Sequence, residues 1–67
     1  MANRSPRQQY IRRLGKIQDQ LAKYSLELTE IGGVYKDVKP TITFWLLTQA
    51  ECIDLIIEAL DKTSKEI

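Results

Sequence analysis

Tyr10, Leu14, Ile17, Leu21, Tyr24, Leu28 and Ile31 recur at alternating steps of four and three, an unbroken row over three heptads. That spacing puts every member on one side of an α-helix and is the pattern of helices packed lengthwise. A second row, Ile42, Leu46, Gln49, Ile53, Ile56, Leu60, Thr63 and Ile67, keeps the same alternation without a slip. Between them lies GGVYKDVKP, residues 32–40, whose two glycines and proline punctuate the chain. Two rods of equal length on a short connector predict an antiparallel helical hairpin. The helices are expected over about 5–32 and 40–67, each about 40 Å long. Residues 1–67 read as one helical-hairpin domain, with 1–4 disordered.

Local signals agree at the first helix. Ser5 can cap, Pro6 suits the first helical position, and Gln8 completes a capping box. Gly32-Gly33 is expected to close the helix in the left-handed conformation. Val34, Tyr35 and Val38 make the connector apolar for a loop. They are expected to fold back over Phe44 and Leu47 as a small local core.

The stretch 41-TITFWLLTQAECIDLIIEAL-60 carries a competing signal. Thr41 to Trp45 is rich in β-branched and aromatic residues, which favour a strand. Thr48-Gln49-Ala50-Glu51 is a capping box, with Leu47 and Cys52 placed like a hydrophobic staple. ITFWLLTQAECIDLIIEAL also resembles the strand and first helix of ribbon-helix-helix DNA-binding proteins. That resemblance implies a helix–strand–helix chain whose ribbon pairs across a dimer. The family's second helix has no counterpart here, and no second strand candidate exists within the chain. The unbroken heptads therefore favour a single helix.

On a helical wheel, Ile42, Trp45, Leu46, Ala50, Cys52, Ile53, Ile56, Ile57, Ala59 and Leu60 cover about half of the second helix. The narrow seam of the first helix covers only part of that arc. Chains of this length bury only roughly 60% of their unfolded surface and usually need a staple. One cysteine and no histidine leave neither an internal disulfide nor a structural zinc site. A second copy is the staple that remains. The expectation is a homodimeric four-helix bundle with Leu46, Ile53, Ile56, Ile57 and Leu60 in the dimer core. Gln49 is expected to hydrogen-bond in the seam, and Cys52 to be a buried, inert thiol.

Charge is distributed unevenly. Residues 1–16 hold Arg4, Arg7, Arg12, Arg13 and Lys16 with no acid, whereas 48–67 are net acidic. Arginine at a helix start opposes the macrodipole, so stability alone does not account for Arg4 and Arg7. One explanation is pairing with Glu58, Asp61 and Glu66 at the far end of helix 2. The other is a phosphate-binding surface doubled by a dimer.

Catalysis finds little support. There is no histidine, no glycine-rich phosphate loop and no Cys-X-X-Cys, and the row Glu51, Asp54, Glu58, Asp61 reads as a solvated face. The reading is a non-enzyme with no catalytic residue, metal or cofactor. Two functions follow as expectations. The first is a dimeric regulator that binds DNA or RNA through Arg4, Arg7, Arg12, Arg13 and Lys16. In architecture alone it resembles small plasmid-encoded regulators that bind paired RNA loops. The second is an adaptor or inhibitor of phage or plasmid type that docks on a protein through Phe44, Trp45, Leu47 and Tyr35. No apolar run suggests a membrane span or a secretion signal, so the expected location is cytoplasmic.

Overall fold

A computed structural model describes residues 6–67. The expectations about residues 1–4, the Ser5 cap and Arg4 lie outside that range. Two helices, α1 (Pro6–Val34) and α2 (Pro40–Glu66), pack against each other as a hairpin. Residues 41–47 are helical throughout, so the strand alternative is overturned. The Thr48 hydroxyl donates to the main-chain oxygen of Phe44, four residues back inside α2, rather than capping a helix start. Heptad continuity over 27 residues outweighs the β propensity of five.

The turn differs from expectation as well. α1 continues through Gly32-Gly33 to Val34, and neither glycine has positive φ. The chain reverses over residues 35–39, where the Val38 and Lys39 amides donate to the Tyr35 carbonyl. Pro40 starts α2, where its missing N–H costs nothing, and holds Lys39 extended at φ −147°. Val34 and Val38 are among the most exposed apolar residues, and Phe44 is 67% exposed. No local core forms beneath the loop, because five turn residues are too few to reach back over α2.

Three hydrogen bonds set the register. The Thr43 hydroxyl donates to the Gly32 carbonyl at 2.6 Å. The Ser25 hydroxyl lies 3.3 Å from the Ala50 carbonyl, and the Gln18 amide donates to the Ile57 carbonyl at 3.0 Å. Each step of seven along α1 is answered by seven back along α2, which is an antiparallel heptad pairing.

This seam is one residue out of phase with the predicted one. Leu14, Leu21 and Leu28 belong to both, as do Leu46, Ile53 and Leu60. The other half of the seam is Ile11, Gln18, Ser25 and Gly32 against Thr43, Ala50, Ile57 and Ser64. Ser25, Gly32 and Ala50 are buried, and among the described residues no large side chain is fully buried. A Cβ on Gly32 would stand 3.6 Å from that of Leu46, so small residues are what let the helices approach. Gln49, expected in the seam, is exposed, and Gln18 takes that polar role.

Candidate functional site

The bulky row predicted for the seam turns instead to one broad side of the hairpin. Tyr10, Ile17, Tyr24 and Ile31 of α1 remain about half exposed, as do Trp45 and Ile56 of α2. At 100° per residue the α1 row and Ile56 lie roughly a quarter turn from the seam and Trp45 roughly a third, at the margin, and in antiparallel helices those flanks fall on the same side. An apolar groove there, lined by Tyr10, Arg13, Leu14, Ile17, Thr63 and Ile67, joins the two helices. Of the residues assigned to a dimer core, Leu46, Ile53, Ile57 and Leu60 are partly covered by α1. Ile56 lies on the open face. Cys52, expected buried, is exposed at the margin of that face.

The opposite side is polar. The Ser25 hydroxyl donates to the Asp54 carboxylate at 2.9 Å, and Asp61 pairs with Lys65 at 3.1 Å. Two of the four carboxylates in the acidic row are therefore engaged in structural contacts.

The basic residues do not converge on one point. The Arg7 guanidinium donates to the main-chain oxygen of Ile67 at 2.8 Å, tying the start of α1 to the end of α2. Arg13 lies over the Tyr10 ring, 5.9 Å from its centroid, at the edge of the apolar groove. Arg12 and Lys16 are exposed on the side of α1 turned away from α2, and Lys23 continues their line. Among the described residues the only ion pair is Lys65 with Asp61, so these three cations have no carboxylate partner. The acidic end of α2 does not neutralise them.

No family model, curated protein or solved structure matches the chain. Its function is argued from its own surface.

The second predicted patch does not form a single surface. Phe44 points away from α1, Trp45 points to the open apolar face, and Leu47 reaches over Gly32 on the polar side. Tyr35 is in the turn and exposed. Among the described residues, no helix is long and apolar enough to cross a membrane. The residues that sequence reasoning missed are Gln18, Ser25, Gly32 and Thr43, which carry the cross-helix bonds. Their signal was a run of small or polar residues at seven-residue spacing beside the leucines.

Proposed function

We propose that this chain is a small, non-enzymatic regulatory protein that pairs into a four-helix bundle and binds nucleic acid through the outer side of α1. Arg12 and Lys16 carry the contact, with Arg7 adding charge at the start of α1, Arg4 adding charge from the preceding sequence, and Lys23 extending the row. One observation supports this most directly: Arg12, Lys16 and Lys23 stand exposed on the outer side of α1 and none is held in an ion pair, although Asp19, three residues after Lys16 and four before Lys23, shares that side. Free cations in a row can neutralise successive phosphates and release their counterions, a gain that needs no base-specific contact.

Pairing follows from the open apolar face, which is wider than monomeric proteins ordinarily leave in water. Each large side chain that a partner covers contributes about 1.5–3 kcal/mol.

The test is a gel shift with mixed double- and single-stranded nucleic acid. The native protein retards a probe at low salt, and Arg12→Glu/Lys16→Glu loses the shift while keeping native size and helicity. An unchanged shift removes the reading. The competing function is an adaptor that docks on a protein through Phe44 and Trp45, both more than half exposed. A partner captured in high salt and lost with Phe44→Asp would replace nucleic acid as the target.

A further inference from the structure

The rim of the open face carries a charge pattern that is complementary to its own reverse. Arg13, Gln20 and Glu27 occupy equivalent heptad positions of α1, all exposed, beside the bulky row Tyr10, Ile17, Tyr24 and Ile31. Arg13 and Glu27 are about 21 Å apart along one helix and cannot meet within a chain. If a second α1 is laid antiparallel on the first with Gln20 against Gln20, each Arg13 meets a Glu27. The bulky row is close to symmetric about the same level, setting Ile17 beside Tyr24 and Tyr10 beside Ile31.

We infer that the open face is covered by a second copy of this chain, with α1 stacked antiparallel on α1 and α2 on α2, and Arg13 paired with Glu27 across the two-fold axis. This rests on the dimeric part of the reading above and specifies its geometry. A compact monomer of this mass, 7.8 kDa, exposes about 4,400 Å². The chain exposes 5556 Å². The difference, about 1,200 Å², reflects an elongated hairpin of 57 × 22 × 8 Å, whose open face is one of its long sides.

The geometry has a functional consequence. Stacking α1 on α1 places the outer sides of both first helices on one side of the bundle. The two Arg12/Lys16 clusters then sit about 20 Å apart on a common surface. Stacking α1 on α2 would send them to opposite sides.

The test is a charge swap read by sedimentation equilibrium without nucleic acid, at low salt. Arg13→Glu alone and Glu27→Arg alone should each weaken the dimer about ten-fold, since each breaks two pairs and creates two repulsions. The double variant should return to within about three-fold of the native protein. Circular dichroism checks that each variant keeps its helices. On the otherwise native protein, a short bifunctional maleimide should join Cys52 to Cys52, which this stacking places about 9 Å apart along the axis. A native dimer whose two reversals simply add, or whose Cys52 residues do not cross-link, overturns the stacking and leaves dimerisation standing. A native chain that stays monomeric at high concentration overturns both.

Discussion

The Ser25 hydroxyl lies 2.9 Å from the Asp54 carboxylate and 3.3 Å from the main-chain oxygen of Ala50, so one small side chain of α1 touches two consecutive turns of α2. Both Ser25 and Ala50 are buried in an otherwise part-exposed hairpin. The helices come close here because neither residue holds them apart. Ser25→Leu or Ala50→Leu should therefore destabilise the protein by about 1–3 kcal/mol, the usual effect of forcing bulk into a packed contact. Ser25→Ala should cost only about 1 kcal/mol, the net worth of the lost hydrogen bond. Urea unfolding at one fixed protein concentration measures all three. Equal stability of the leucine and alanine variants would show that the contact is not close.

Gly15 and Gly33 lie inside α1, and a methyl group at either would meet nothing within 4 Å. Neither needs positive φ. Gly15→Ala and Gly33→Ala should each raise stability by up to about 1 kcal/mol through helix propensity. Thermal melts at matched concentration check this. A loss at Gly33 would point to a turn that requires its flexibility.

The nucleic-acid reading predicts a salt slope. Each phosphate contact on duplex DNA contributes about 0.9 to the slope of log affinity against log salt. Lys16→Ala removes one cation from each of two subunits, so it should flatten the slope by up to about 2. Lys62→Ala, on the other helix, should leave it nearly unchanged. Fluorescence anisotropy between low and moderate salt reads both.

Leu55 and Ile56 are adjacent and both exposed, at 64% and 49%. Only Ile56 lies on the open apolar face; Leu55 points away from α1. If the chain pairs through that face as proposed, Ile56→Asp should dissociate the pair, whereas Leu55→Asp should stay within about 0.5 kcal/mol of native stability. Light scattering across a concentration series separates them. Dissociation by both would mean that the association surface wraps around α2.

The sequence-based reading and the structure agree closely on the elements and diverge on their rotation. Both helices, their lengths and the hairpin were legible, because a 3.6-residue period sustained over more than 25 residues has no other regular solution. The α1 end was misplaced because glycine permits the left-handed turn without requiring it. The outward side of α1, with Arg12 and Lys16, was legible too, since either seam phase leaves those residues facing away from α2. Arg13 was harder to place. A rotation of about 50° between the two seam phases decides whether it belongs to a phosphate surface or to the rim of an apolar face.

By itself, then, the amino-acid sequence determined two amphipathic helices of matched length, joined closely enough to fold back on each other. It also determined an apolar arc on the second helix wider than the narrow seam predicted for the first. Only the tertiary structure decided which part of each arc meets the other helix. Periodicity defines a stripe, but two adjacent stripes share Leu14, Leu21 and Leu28 and satisfy it equally well. Packing selected the stripe with Ser25, Gly32 and Ala50, because small side chains let the backbones approach and let Gln18, Ser25 and Thr43 bond to carbonyls across the seam. The bulkier row, excluded from that close contact, was left on the surface.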